Sequence, residues 1–189
     1  DDVSGAIAAR LWWLLRWLGH KHVSVLDGGL DAWLAHGQEL ESTLPTWDKS
    51  IFSPAPTHDQ WIVRSAELIQ LMESGAVLLD ARSTDRFHGI SEPLDPVAGH
   101  VPGARNLPFS SLVATDKTLL APQQLSERLS SLLDGRDAED VITMCGSGVT
   151  ACHLLLAMSA AGLGNGRLYA GSWSEWIRDT NREIATGPN

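Results

Sequence analysis

Cysteine, basic residues and long apolar stretches are all scarce in this sequence of 189 residues. Its 2 cysteines cannot build a disulfide framework, which is typical of a reducing compartment where thiols stay free for chemistry. No apolar run approaches the roughly 20 residues that a membrane-spanning helix needs, so we expect a soluble protein. The sequence begins at Asp1 without a methionine or a signal-like segment. The default location is the cytoplasm, with an upstream targeting segment left open.

Positive charge is also in deficit. The chain carries 14 Lys and Arg against 23 Asp and Glu, a formal net charge of −9. Such a surface repels a phosphate backbone, and no local basic patch offsets it, so nucleic acid is not an expected partner. A hydrophobic content of 43% with 20% charged residues is ordinary for a globular protein of one domain or one and a part.

Short apolar strands alternate with amphipathic helices along the chain. Helices are predicted over residues 5–18, 30–35, 65–74, 119–133 and 151–161, and strands over 23–26, 76–80, 141–144 and up to 170. This alternation predicts an α/β fold with a mostly parallel sheet and helices on both faces. Residues 38–60, rich in Ser, Thr and Pro, have no periodicity and are interpreted as a linker, and the long loop from Arg82 to Pro108 is expected to be functional or partly structured.

The start of the sequence is repeated 143 residues further on. The identical pairs of this gap-free alignment are Ser4/Ser147, Gly5/Gly148, Ala8/Ala151, Leu11/Leu154, Gly19/Gly162, Gly28/Gly171 and Trp33/Trp176. The glycines fall at loops, helix ends and turns, where backbone geometry demands them. We therefore interpret residues 1–37 as the C-terminal remnant of a first domain that precedes the catalytic domain, residues 61–189. Asp2 would replace Cys145, which leaves the first copy silent, and the remnant should pack on the second domain or on its own missing N-terminal part.

Cys145 is the strongest candidate for a catalytic residue. It follows a predicted buried strand and precedes a glycine-bearing loop and a helix, the place where open α/β sheets bind their ligands. Loop amides and the positive end of the helix favour a thiolate, and they would stabilise a persulfide in the same way. Gly146 and Gly148 permit a tight loop, while Ser147 and Thr150 offer hydroxyl donors. Cys152 instead falls inside an apolar helix and is expected to be part of the core.

The segment from Cys145 to Thr150, Cys-Gly-Ser-Gly-Val-Thr, resembles the active loop of the rhodanese family of sulfurtransferases, in the form found in its two-domain 3-mercaptopyruvate members. Leu79-Asp80-Ala81-Arg82, the segment from Gly99 to Asn106 and Val25-Leu26-Asp27-Gly28-Gly29 are similar to other family segments. The resemblance spans nearly the whole chain. It implies a rhodanese-like fold with an inactive first domain and a catalytic second one.

The resemblance also implies roles for individual residues. Cys145 would carry sulfur as a persulfide, Ser147 would take part in proton handling, and Arg86 would hold the carboxylate of the donor, for which a guanidinium fork is suited. The loop residues that would bind substrate are Gly146, Gly148, Val149 and Thr150. Asp80 has either a supporting or a purely structural role, and His100 is expected to shape its turn.

Two departures and several alternatives bear on the substrate. Family members of the mercaptopyruvate type carry a second arginine after Arg86, where residues 90–96 contain no basic side chain. The two residues after the cysteine, Gly146 and Ser147, are neutral. Their neutrality favours 3-mercaptopyruvate as the donor, with the dianion thiosulfate as the alternative. A phosphatase would need an arginine at position 151, which is Ala151, and a silent binding module would lack the cysteine.

No cofactor is expected, because Cys145, Cys152 and His153 lack the spacing of a metal site and no nucleotide-binding loop is present. The expected partners are a small sulfur donor and a thiol acceptor such as a small dithiol or a thioredoxin-like protein. The missing N-terminal part of the first domain is a further expected partner.

Overall fold

The computed structural model describes residues 1–55 and 57–188. Its centre is a parallel sheet of five strands in the order β1-β5-β4-β2-β3. The strands are β1 (Ile62–Val63), β2 (Val77–Asp80), β3 (Arg105–Asn106), β4 (Val141–Met144) and β5 (Arg167–Tyr169). The helices are α1 (Ala6–Trp17), α2 (Gly29–Ala35), α3 (Ser65–Glu73), α4 (Thr84–Phe87), α5 (Pro122–Leu133), α6 (Ala151–Ala160) and α7 (Ser172–Trp176). Short 3-10 helices cover Asp59–Trp61, Phe109–Leu112 and Ala138–Asp140.

Both faces of the sheet are covered, and successive strand residues point to opposite faces. In β2, Leu79 joins a cluster that includes side chains of α1, α5 and α6, whereas Leu78 joins a cluster with side chains of α3, α4 and α7. Ile142 of β4 lies in the second cluster and Val141 in the first. All four residues are buried, which explains why these strands are continuous apolar runs. The predicted α/β fold with helices on both faces is confirmed.

The predicted strand at residues 23–26 is wrong. These residues have no strand pairing, Val25 is only half-buried and Leu26 is 55% exposed. A strand requires a neighbour for its backbone hydrogen bonds, and within residues 1–55 and 57–188 no strand lies beside this segment. Conversely, β1 and α7 were not predicted, because both are too short for a periodic pattern to develop. The loop from Arg82 to Pro108 is partly structured, as expected, since it contains α4 and β3.

The first 37 residues pack on the second half of the chain through α1. Ala9, Trp12 and Trp13 of this helix are buried in the same core cluster as Cys152 and Leu155 of α6. This packing agrees with the expectation for the remnant, while the division into domains stays a prediction.

The contact between α1 and α6 is reciprocal. Arg16 donates a hydrogen bond to the hydroxyl of Ser159, which is its own counterpart 143 residues later. Gly5 and Gly148, another corresponding pair, precede the two helices with φ angles of 80° and 78°. The two helices are thus related by an approximate two-fold axis, as in a symmetric dimer interface.

Candidate active site

Cys145 lies directly after β4, at the carboxyl end of the parallel sheet, and is 2% exposed. Its amide donates a hydrogen bond to the hydroxyl of Ser172 (3.1 Å), which in turn donates to the carbonyl of Tyr169 (2.9 Å). The carbonyl of Cys145 accepts the amide of Trp173 at 3.0 Å. The segment between β5 and α7 therefore fixes the cysteine backbone on both sides.

The loop after Cys145 is equally constrained. The carbonyl of Gly146 accepts both the amide and the hydroxyl of Ser174, at 2.9 and 2.8 Å. Gly148 has a φ of 78°, and a Cβ at this position would collide with the carbonyl oxygen of Ala170, so only glycine fits. Ser147 is exposed at the turn of the loop.

The end of the loop leads directly into α6. The carbonyls of Val149 and Thr150 accept the amides of Cys152 and His153, each at 3.1 Å. The loop that contains the predicted residues thus leads from Cys145 to the N-terminal end of α6, a position where backbone amides and the helix dipole favour an anion.

The corresponding loop of the first copy shows what such a loop binds. The carboxylate of Asp1 accepts the amides of Val3 and Gly5 through Oδ1, at 3.1 and 2.8 Å. Its Oδ2 accepts the amides of Ile7 and Ala8 at 2.9 and 2.7 Å. Four backbone amides therefore converge on one anionic group at the start of α1.

This geometry corrects the alignment of the two loops. Asp2 was predicted to replace Cys145, but the carboxylate that accepts the loop amides is that of Asp1. The reason is a helix offset: α1 begins at Ala6, whereas the counterpart of Ala8, Ala151, begins α6. The gap-free alignment therefore holds from Ser4 and Ser147 onward and not for Asp2 and Cys145.

Arg86 lies beside the cysteine loop, and its role in holding the carboxylate of a donor stays a prediction. Its Nη2 is 3.3 Å and its Nη1 is 3.6 Å from the position that a Cβ would take on Gly146. Its Nε donates to both carboxylate oxygens of Glu92 (2.8 and 2.9 Å), and its Nη2 donates to Asp95 at 3.1 Å. Within the described ranges, Nη1 has no hydrogen-bond partner.

Glu92 and Asp95 hold the guanidinium of Arg86 in place. Burial raises the pKa of Glu92, but the hydrogen bond from Arg86 and those from the amides of Leu94 and Asp95 outweigh it, so the pKa lies below its ordinary value. Asp95 also accepts the hydroxyl of Ser174 at 2.8 Å, and this serine in turn contacts Gly146. A single network therefore connects Arg86 to the cysteine loop.

Asp80 is the buried partner of Arg82, and its supporting role stays a prediction. It is fully buried at the end of β2, accepts the amide of Arg82 at 3.0 Å and forms a salt bridge with the Arg82 guanidinium at 2.7 Å. Arg82 also contacts Glu92 at 3.4 Å and lies over the ring of Trp173 at 4.5 Å. Two guanidinium groups thus face three carboxylates in this network.

Comparison with known proteins agrees with this geometry. The family model of the rhodanese-like domain matches residues 65–179, which contain the cysteine loop, Arg86 and the whole of the network around it. The chain belongs to the rhodanese family. The predicted family membership is therefore confirmed.

Among its relatives, the probable 3-mercaptopyruvate sulfurtransferase of Pseudomonas aeruginosa is 50% identical over 99% of this rhodanese chain and 66% of its own length. The thiosulfate sulfurtransferase of Rattus norvegicus is 32% identical over 94% of this chain and 61% of its own length. The crystal structure of the Tum1 protein from Saccharomyces cerevisiae superposes with a TM-score of 0.83 at 29% identity, covering 100% of this chain and 68% of that protein. The chain thus spans about two thirds of the length of these relatives.

Two further predictions concern residues outside the chemistry of the rhodanese site. Cys152 is fully buried in α6, and burial raises the pKa of its thiol to about 11, although the hydrogen bond from Arg10 opposes this shift. The ring of His100 stacks on Phe87 at 3.7 Å and its Nδ1 contacts the Phe87 carbonyl at 2.8 Å. Both residues have the structural roles that the sequence indicated.

Sequence reasoning missed Glu92, Asp95, Ser174 and Arg10. The stretch of residues 90–96 drew attention only because it lacks a basic residue, yet its two carboxylates are what orient Arg86. Two acidic residues within ten positions after an arginine were a usable signal for such a network.

Residues 1–55 and 57–188 contain no cluster of three or more His, Cys, Asp or Glu side chains able to hold a metal ion. The same part of the chain has no helix that is both long and apolar enough to cross a membrane.

Proposed function

We propose that this rhodanese chain is a sulfurtransferase that moves a sulfane sulfur from 3-mercaptopyruvate to a thiophilic acceptor through a persulfide on Cys145. The observation that carries the proposal is the position of Cys145 at the end of β4, at the start of the loop that leads into α6, with the Arg86 guanidinium beside Gly146. The names of the relatives from Pseudomonas aeruginosa and Rattus norvegicus support sulfur transfer as the reaction.

The first half-reaction is a displacement at sulfur. The Cys145 thiolate attacks the sulfur of the donor, a new S–S bond forms, and the bond between that sulfur and C3 of the donor breaks. The electron pair of the broken bond passes to the pyruvate enolate, which takes up a proton to give pyruvate. Ser147, whose hydroxyl is exposed at the turn of the loop, is proposed to take part in this proton transfer.

The second half-reaction returns the enzyme to its resting state. Cyanide or an acceptor thiolate attacks the outer sulfur of the persulfide, and the S–S bond breaks with its electron pair on Cys145. The amides of the loop stabilise the anion on either sulfur, as the four amides around Asp1 do for a carboxylate in the first copy.

Charge favours mercaptopyruvate over thiosulfate as the donor. The Arg86 network holds two guanidinium groups and three carboxylates, so it does not concentrate positive charge around the cysteine loop. A donor with one carboxylate needs a single unpaired cationic group, and Nη1 of Arg86 provides one. Thiosulfate, a compact dianion, would need a second unpaired cation beside it. Thiosulfate remains the alternative donor, in line with the name of the rat relative.

The sulfur acceptor and the cellular location are proposed from chemical arguments alone. A small dithiol or a thioredoxin-like protein is proposed as the acceptor, because the persulfide must be unloaded by a thiol. A reducing compartment, with the cytoplasm as the default, is proposed because the chain uses its cysteines as free thiols.

Mass spectrometry tests the persulfide directly. Exposure to 3-mercaptopyruvate should add about 32 Da, one sulfur atom, to the wild-type chain and to Cys152→Ser, but not to Cys145→Ser. Because these are the only two cysteines of the sequence, each variant is a matched control for the other. An adduct that persists in Cys145→Ser, or none in the wild type with either donor, refutes the proposal. A kcat/KM that clearly favours thiosulfate over mercaptopyruvate, with cyanide as acceptor, would retain sulfur transfer and overturn the choice of donor.

A further inference from the structure

Arg10 extends from the first copy to the cysteine loop of the second. It lies on α1, and its Nη1 donates to the carbonyl of Gly148 at 3.2 Å and approaches the sulfur of Cys152 at 3.6 Å. The guanidinium lies 5.6 Å from the ring centroid of Trp13, which is itself buried against α6. Arg10 is therefore part of the packed interface between the two helices rather than a solvated side chain.

The carbonyl that Arg10 binds is not used by α6. In the first copy, the carbonyl of Gly5 accepts the amide of Ala9 at 2.8 Å, the ordinary bond of a helix at its start. In the second copy, the corresponding amide of Cys152 donates to Val149 instead, at 3.1 Å. Within the described residues, the Gly148 carbonyl accepts only Arg10 and, at 3.4 Å, the thiol of Cys152.

The counterpart of Arg10 in the repeat is His153, and its contact differs. Its Nε2 lies 3.1 Å from the carbonyl of Ser4 in the first copy. Burial lowers the pKa of His153, although its contact with the Ser4 carbonyl opposes the shift, so the ring is neutral at pH 7. Of these two reciprocal contacts, the one to the Cys145 loop brings a permanent positive charge and the other does not.

We propose that Arg10 is a positioning residue for the Cys145 loop, acting on the sulfur transfer proposed above. Because a trans peptide is planar, binding the Gly148 carbonyl on the side of α1 turns the amide of Val149 to the opposite side. Arg10 thereby fixes, through a charge-assisted hydrogen bond, the orientation of a loop amide that the helix leaves undetermined. The first copy contributes to catalysis through this contact although it has no nucleophile.

The test compares Arg10→Gln with Arg16→Gln. Both residues lie on α1 and contact α6, but Arg16 binds Ser159, at the far end of α6 from the cysteine loop. The rate of alkylation of Cys145 by iodoacetamide is measured against pH, with peptide mass spectrometry to identify the modified cysteine. The unfolding temperature of each variant is measured as well, together with kcat and KM for mercaptopyruvate.

In Arg10→Gln, alkylation of Cys145 near neutral pH should slow by about tenfold, because the loop amide is no longer held in place. Its kcat should fall more than its KM rises, and Arg10→Lys should recover part of the loss because it restores the charge. Arg16→Gln should keep the wild-type pH profile, even if both variants lose the same stability. A profile in Arg10→Gln that matches Arg16→Gln overturns the proposal.

Alkylation requires no sulfur donor, so it separates the two proposals. If the wild type forms no persulfide, the proposed function fails while the pH profile still reports on Arg10. If the wild type forms the persulfide and the Arg10→Gln profile is unchanged, only the role of Arg10 fails.

Discussion

Replacing Glu92 by Gln should weaken both the fold and the binding of the donor. The side chain of Glu92 is 3% exposed and receives Arg86 at 2.8 and 2.9 Å, Arg82 at 3.4 Å and two backbone amides. Glutamine keeps the shape and one oxygen but loses the charge. Losing the charged character of these hydrogen bonds costs about 2 kcal/mol of the free energy of unfolding. For a chain of this size that lowers the melting temperature by roughly 4–8 °C.

The stability lost in Glu92→Gln should depend on pH, and the direction follows from the lowered pKa of Glu92. Folding lowers the pKa of Glu92 below its ordinary value of 4.5, so its stabilising effect is complete above that pH and is lost as the pH falls through the folded-state pKa. The difference in unfolding free energy between the wild type and Glu92→Gln should therefore be constant from about pH 7 to about pH 5 and should narrow below that. Urea unfolding at several pH values measures it.

Glu127→Gln is the matched control, because Glu127 is exposed on α5 and accepts only Gln123, at 3.0 Å. It should unfold like the wild type at every pH. The KM for mercaptopyruvate should rise in Glu92→Gln, since Arg86 loses its orienting partner, and stay unchanged in Glu127→Gln. The reasoning is refuted if the stability loss of Glu92→Gln is absent at neutral pH, or if it is the same at the lowest pH as at pH 7.

Two further predictions concern Gly148 and Cys152. Gly148→Ala places a methyl group against the carbonyl of Ala170 at a φ of 78°, so we expect a loss of at least about 2 kcal/mol in unfolding free energy and a near-complete loss of persulfide formation. Gly162→Ala, at a φ of 73° with open space around it, controls for backbone strain alone and should keep its persulfide. Cys152, whose pKa is raised to about 11, should resist iodoacetamide at pH 8 until the chain is unfolded in urea, whereas Cys145, the proposed nucleophile, should react in the native state. Equal labelling of both cysteines in the native chain would contradict the burial of Cys152.

Sequence predicted the helices and strands that have a long periodic or apolar pattern, and the residues that act beside their neighbours in the chain. The strand β4 is a continuous apolar run that ends at Cys145, and its bounds were predicted correctly, as was the approximate extent of α1 and α6. The strand at residues 23–26 was predicted on the same kind of pattern and is wrong, because an apolar run does not reveal whether a neighbouring strand is present.

The same distinction separates the site residues that sequence could predict from those that it could not. Cys145 and its glycine loop are adjacent in sequence, so their spacing predicted the nucleophile. The orientation of Arg86 by Glu92 and Asp95 depends on how the loop between β2 and β3 folds back, which no periodicity encodes. Arg10 is the extreme case, since 138 residues separate it from Gly148 and only the packing of α1 on α6 brings them together.

The contact between Arg16 and Ser159 lies where a two-fold axis relates α1 to α6. In a dimer of identical chains, a residue on such an axis meets its own copy, and two arginines there would repel each other. Joining both copies in one polypeptide removes that restriction, because each side of the interface is encoded separately. One side can then carry arginines at positions 10 and 16 while the other carries His153 and Ser159. The loop next to one helix is thereby free to specialise in sulfur chemistry, while the other loop is filled by a carboxylate of its own chain.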